Sequence, residues 1–275
     1  MKAITIIPTA GLCNRMRAMS SGIRIAHEVG VVPTVSWQKE KNVCNAAFSD
    51  LFLSIPEDIA IVADGRGRFR LRNWSGRRNV IQRQIQKLLY DQAIYNFNSL
   101  EKGEISSFLK PDTQSLLLNS CHRMGEYFDM QAMFRPIDLL ESRIDGLSKD
   151  FTDKTVGVHI RRGDNAASIK HSPTGAFVRI LDGLFSSGEA DKIYLATDSL
   201  AVRKELTDRY GAAIIYQEES LSRNTSDGIR DAVVDLFCLS RTSKIIGSYY
   251  SSFSEIAAEL GRKELIFAID NDSTK

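Results

Sequence analysis

Residues 155–164 read Thr-Val-Gly-Val-His-Ile-Arg-Arg-Gly-Asp, a run of small and β-branched side chains that ends in His159, Arg161, Arg162, Gly163 and Asp164. Such a run predicts a buried strand delivering polar groups to its carboxyl end. Two adjacent guanidiniums there suit a phosphate, because each presents a planar fork of N–H donors able to hold two oxygens at once. Taken alone, the pair reads as solvated charge at a strand end, and it is the rest of the chain that raises it above that reading.

Other polar groups recur at comparable points. Asp198 follows the strand-like run 192–197, and Ser248, Ser251 and Ser252 follow the run 244–247. Ser252-x-x-Glu255 has the spacing of a capping box, and the backbone amides at such a helix start can receive phosphate oxygens. Together with the arginine turn, this suits a diphosphate. Nearer the amino terminus, Gly11, Asn14 and Arg15 lie in a glycine loop between a predicted strand (3–7) and a predicted helix, with Asn14 as its N-cap. The loop reads either as a seat for an anion beside Arg15 or as a tight connecting turn. Asp235 interrupts the apolar run 232–239 and therefore needs a partner.

If a diphosphate leaves during the reaction, arginines can stabilise its developing charge without a metal ion. That is the logic of glycosyl transfer from a nucleotide sugar. Asp198 and Asp235 then hold the nucleoside through hydroxyl or base hydrogen bonds, or serve as a helix cap and a surface charge. The sequence carries no P-loop, no complete G-x-G-x-x-G and no G-x-S-x-G elbow.

The elements that must position these groups follow from periodicity. In the second half, strand-like runs at 155–160, 192–197, 213–216, 244–247 and 265–269 alternate with helical stripes and short connections, which predicts a parallel, Rossmann-like sheet. Such a sheet gathers the carboxyl ends of its strands on one edge. In the first half, strands are expected at 3–7, 31–37 and 115–119, and helices at 79–90 and 129–144, the latter broken at Arg135-Pro136. Ser172 is expected to cap a helix with Pro173 at its first position. Arg66, Arg68, Arg70 and Arg72 alternate, as in a solvated edge strand or a lip for an anionic acceptor. His122 and Arg123 follow the run 115–119 and are read as either facing a cleft or solvated. Polar composition at 146–153 places a boundary between domains 1–148 and 149–275.

With 275 residues, 43% hydrophobic and 25% charged, the chain reads as a globular protein of two domains. A net charge of +2 gives no argument for a nucleic-acid partner. Cys13, Cys44, Cys121 and Cys238 are too scattered for structural zinc or a disulfide scaffold, so free thiols in a reducing compartment are expected. With no apolar run of 18 residues and no cleavage signature, the expectation is a cytoplasmic protein without a transmembrane segment, with room for peripheral association at the inner membrane face.

Val158-His159-Ile160-Arg161-Arg162-Gly163-Asp164, Ala196-Thr197-Asp198, Asp235-Leu236-Phe237-Cys238-Leu239-Ser240 and Gly247-Ser248-Tyr249-Tyr250-Ser251-Ser252-Phe253-Ser254 resemble, in order, the motifs of the GDP-fucose-dependent fucosyltransferases. This superfamily contains the α1,2-, α1,6- and protein O-fucosyltransferases, and the loop ending in Asn14-Arg15 resembles its amino-terminal motif. The resemblance implies an α/β, GT-B-like architecture of two Rossmann-like domains facing a cleft. It implies GDP-fucose as donor substrate in the carboxyl-terminal half, a glycan acceptor, and no cofactor or metal. Arg161 would contact the donor diphosphate and assist its departure, with His159 and Arg162 beside it. Asp235 would lie near the guanine nucleotide, Ser251 or Ser252 near the phosphates, and Gly11 and Asn14 in the catalytic cleft.

The α1,6-type enzymes carry a carboxylate shortly after the arginine motif as favoured base, whereas this chain has Ala166-Ala167-Ser168-Ile169-Lys170-His171 there. Asp164 or His171 would then accept the proton, or departure of the diphosphate runs ahead of attack and no base is needed. The Ile-Arg-Arg-Gly-Asp form is nearer the α1,2 type. The expectation is an inverting, metal-independent fucosyltransferase of bacterial polysaccharide biosynthesis. The alternatives are a transferase using another nucleotide sugar and a non-catalytic nucleotide- or carbohydrate-binding protein.

Overall fold

A computed structural model describes residues 1–63, 77–163, 166–218 and 225–270. Asp164 and the alternating arginines Arg66, Arg68, Arg70 and Arg72 lie outside the described residues.

In the first half, β1 (Ala3–Pro8), β2 (Thr34–Ser36), β3 (Ile61–Ala63), β4 (Gln92–Tyr95) and β5 (Ser115–Ser120) form one sheet in the order β3-β2-β1-β5-β4. Every pairing is parallel. The continuous apolar runs of β1 and β5 suit central strands covered on both faces, and they pair along their whole length with Thr5 opposite Leu117. Helix α1 (Leu12–Glu28) follows β1 and buries Met16, Met19, Ile23 and Ala26, the stripe its periodicity predicts. Its N-cap is Gly11, not Asn14, because Leu12 and Cys13 are themselves buried and carry the packed face back to the loop. α2 (Arg77–Leu89), α3 (Ser99–Lys102) and α4 (Met130–Met133) complete this part. The predicted break at Arg135-Pro136 is present: Pro136 bridges antiparallel to Phe52, and the chain resumes as α5 (Asp138–Ser148).

The second sheet comprises β6 (Thr155–Ile160), β7 (Lys192–Thr197), β8 (Ile214–Ile215), β9 (Ile245–Gly247) and β10 (Leu265–Phe267) in the order β10-β9-β6-β7-β8, again all parallel. α6 (Ala166–His171), α7 (Thr174–Ser186), α8 (Leu200–Tyr210), α9 (Ser226–Ser240) and α10 (Ser252–Gly261) provide the crossovers. Every residue of β6 is buried, and Val156, Val158 and Ile160 share a core with Phe177, Leu181, Leu195, Leu206 and Ile246. Burial of each such side chain contributes about 1.5–3 kcal/mol.

The chain divides into two compact units, Met1–Ile137 with Ser222–Ile229, and Asp138–Leu221 with Arg230–Lys275. α5 belongs to the second because Arg143 pairs with Asp231 at 2.9 Å and Arg241 pairs with Glu141 and Asp145. The division therefore falls ahead of this helix, whereas polar composition points to the segment after it.

Candidate active site

Three strand ends of the second sheet are stitched together around Arg161. The Arg161 backbone N–H donates to Ser248 Oγ at 3.0 Å, Ser248 N–H donates to the His159 carbonyl at 3.1 Å, and Thr197 Oγ1 donates to the Ile160 carbonyl at 2.8 Å. β6 is flanked by β7 on one side and β9 on the other, so the chain runs outward in one direction and then crosses back. That reversal is the switch point at which open α/β sheets hold ligands.

Asp198 fixes the arginine turn from β7. One carboxylate oxygen pairs with Arg161 Nη1 and the other accepts the Arg162 backbone N–H at 2.7 Å. The Arg162 guanidinium folds back, donating to the Arg161 carbonyl at 2.9 Å and to Thr174 Oγ1 at 3.0 Å. Burial pulls its pKa below the ordinary arginine value, and the Asp198 charge opposes that shift. Gly163 is required by close approach, since a Cβ there would lie 2.9 Å from Asp198 Oδ2. His159 ties β6 to the start of α10: its Nδ1 lies 2.8 Å from Ser254 Oγ and its ring stacks on Phe253 at 4.6 Å.

The helix start differs from the predicted capping box. Ser251 is the N-cap of α10, its side chain makes no capping hydrogen bond, and Ser252 already lies inside the helix. The N-cap side chain thus leaves the first amides of α10 open, after a strand end that Ser248 ties to the Arg161 turn, a combination suited to an anion. Gly247 permits this packing, because a Cβ there would stand 2.5 Å from Ser254 Cβ and Oγ.

α6 is a helix that periodicity does not reveal, and it knits to the loop before α10. Ser168 Oγ donates to the Tyr249 carbonyl at 2.7 Å and Ser172 Oγ accepts the Tyr249 N–H at 2.9 Å. That engagement takes Ser172 away from capping, so Pro173 rather than Ser172 stands at the N-cap of α7. His171 ends α6 with its ring 5.9 Å from both Tyr249 and Tyr250, and Tyr250 holds a left-handed φ of 58°.

Asp235 has the partner its apolar surroundings demand. Tyr194 Oη donates to it at 2.7 Å from the middle of β7, so Asp235 engages the body of the sheet rather than the carboxyl edge. Burial pushes its pKa up to about 6, against the hydrogen bonds of Tyr194 and Gln217.

In the first unit the glycine loop is only partly as expected. Gly11 and Asn14 stand half-buried at the start of α1, and Ala10 adopts a left-handed φ of 65°, an uncommon conformation for a non-glycine residue. Arg15 is turned inward instead of lying open in the loop. It is fully buried, donating to the carbonyls of Ala10 and Gln38 and to Glu40 at 3.1 Å, with Trp37 beneath it at 5.5 Å. Arg17 is the residue that reaches the carboxyl end of β5, donating to the Cys121 carbonyl at 2.9 Å. Beside it His122 is half-buried, and burial foremost, with Arg17 second, lowers its pKa. Sequence reading quotes Thr197 and Ser254 within motifs without giving either a role, and passes over Thr174. The signals are the place of Thr197 directly before Asp198 at a strand end and that of Ser254 at the close of the serine-rich motif; Thr174 carries none.

No family model matches the sequence. Solved structures do. The fucosyltransferase NodZ from Bradyrhizobium superposes with a TM-score of 0.64 at 15% identity, covering 94% of this chain and 91% of that one. The same protein, described as an α1,6-fucosyltransferase, has been solved after soaking with GDP-fucose. A mutant of FUT1 from Arabidopsis thaliana in complex with GDP gives 0.63 at 13% identity over 97% of this chain and 70% of that one. POFUT1 in complex with GDP gives 0.56 at 12% identity over 97% and 98%. This chain has the fucosyltransferase fold. The expected α/β class with two Rossmann-like parallel sheets is borne out, and in this fucosyltransferase fold the Arg161 turn lies at the switch point of the second sheet. Among the described residues no helix is long and apolar enough to cross a membrane.

Proposed function

We propose that this protein is an inverting glycosyltransferase that moves fucose from GDP-fucose to a hydroxyl of a glycan acceptor, with the donor held by the second unit and the acceptor by the first. One observation carries the reading. The paired Arg161, the backbone of Arg162 and the side-chain-uncapped start of α10 converge at the switch point of a sheet whose fold is that of enzymes solved with GDP or GDP-fucose. Arg161 and the α10 amides bind the diphosphate, and Asp198 holds Arg161 in position. As the bond from fucose C1 to the β-phosphate oxygen breaks, Arg161 stabilises the charge that develops there. The acceptor oxygen attacks C1 from the opposite face and passes its proton to Asp164 or His171. Because guanidiniums supply the positive charge, the reaction proceeds without a metal ion.

Titration calorimetry with GDP and UDP tests the donor assignment, and absence of GDP binding would remove it. A panel of GDP- and UDP-sugars then separates fucose from other donors, because a phosphate grip does not read the sugar. Arg161→Ala should lower kcat/KM by about 10²–10³-fold, the scale of losing one preorganised donor to a developing anion. Its circular dichroism should match the parent, and near-normal turnover would take Arg161 out of the mechanism. Turnover should also survive EDTA. Comparison of His171→Gln with Asp164→Asn identifies the proton acceptor by which substitution depresses kcat.

A further inference from the structure

Helix α2 is built with its polarity reversed. Five of its large apolar side chains face solvent, with exposures of 61% for Val80, 57% for Ile81, 43% for Ile85, 87% for Leu88 and 41% for Leu89. Ile81, Ile85, Leu88 and Leu89 recur at i, i+4, i+7 and i+8, a single stripe along the helix. A helix of a globular protein normally turns such a stripe to the core. Here the buried positions are Gln82 and Gln86, the latter accepting a hydrogen bond from Tyr95 Oη at 2.7 Å. The helix also carries three arginines and a lysine and no carboxylate.

The geometry points to α2 as a docking face for an anionic lipid surface. Its apolar stripe enters the boundary between headgroups and acyl chains, and the positive charge of the helix, with Arg83 held over the Tyr95 ring and Lys87 exposed, favours an anionic surface. Thirteen residues extend about 20 Å at 1.5 Å per residue, less than the roughly 30 Å of a bilayer core, so the helix lies in the interface and does not cross it. The charge pattern argues against the other occupants. A second copy would present the same uniformly positive helix, and a nucleic acid has no use for an aliphatic stripe lacking stacking rings. This inference stands apart from the transferase reading, since it concerns a face of the first unit and requires no turnover.

Flotation with vesicles of phosphatidylcholine alone, and of phosphatidylcholine and phosphatidylglycerol in equal parts, provides the test. The whole chain should float with the anionic vesicles and remain behind with the neutral ones. Ile85→Asp and Leu88→Asp should each reduce the vesicle-bound fraction by about ten-fold or more, as a charge replaces an inserted apolar group. Lys87→Glu should weaken binding less and make it more sensitive to salt. All three positions are exposed, so circular dichroism and melting temperature should match the parent. Failure of the parent to float, equal flotation on neutral vesicles, or unchanged binding by both aspartate variants would each overturn the proposal. So would a dimer in sedimentation velocity that Leu88→Asp dissolves, which would make a second copy the occupant.

Discussion

Arg15 and Arg161 each follow the first strand of a parallel sheet, yet their surroundings give them opposite tasks. Arg15 spends its guanidinium on two carbonyls and Glu40 inside the first unit, whereas Arg161 pairs with Asp198 at the carboxyl edge of the second. Arg15→Leu should therefore destabilise the fold by about 2–4 kcal/mol, because buried acceptors lose their donor. Denaturant unfolding reads this effect, while GDP affinity of the folded fraction should stay unchanged. A lost affinity with intact stability would restore Arg15 to the ligand. Asp235 gives a pH signature. Its folded pKa of about 6 lies above the roughly 3.9 of an unfolded aspartate, so the folded state holds the proton more tightly. The resulting stabilisation is full below about pH 4 and is lost as pH rises through about 6. Asp235→Asn keeps an acceptor for Tyr194 and should flatten that decline, adding about 1–3 kcal/mol at pH 7 relative to the parent. Chemical unfolding at pH 4 and pH 7 decides it, and an equal decline in the variant would assign the pH dependence elsewhere.

At the scale of elements, close packing of β9 against α10 makes Gly247 a sensitive position. Gly247→Ala places a methyl 2.5 Å from Ser254 and should cost about 1–3 kcal/mol, seen as a lowered melting temperature. It should also weaken GDP binding by shifting the helix start, and a stable variant with parental affinity would show that α10 can move freely. The longer elements were legible from periodicity: β7 and the break at Arg135-Pro136 stand where the pattern places them. β3 and β4, the two edge strands of the first sheet, were not. Caps moved by one to three residues at α1, α7 and α10 for a common reason. Ser172 satisfies a neighbouring loop and Leu12 packs into a core, and single-residue preference records neither.

At the scale of the whole molecule, two parallel sheets with their own cores confine the proposed donor site to one unit. Saturating GDP should slow amide exchange at Arg162, Gly163 and the first turn of α10, and leave β1 and α1 of the first unit unaffected. It should raise the stability of the second unit by about 2.7 kcal/mol at a hundred times its Kd. Protection spread evenly over both sheets would contradict a donor site built on the second alone. What the sequence by itself determined was the α/β class, the strand carrying His159 and Arg161, and the collection of polar groups at strand ends. Those features are local: alternation of strand and helix and the residue types that close each strand are written in consecutive positions. Only the tertiary structure decided that Asp198 holds Arg161, that Asp235 turns to Tyr194, that Arg15 is a buried tie and that α2 shows its apolar side to solvent. Each of these depends on groups tens of residues apart meeting across a sheet or on which face of a helix meets the body, and no local pattern of residues carries that distance.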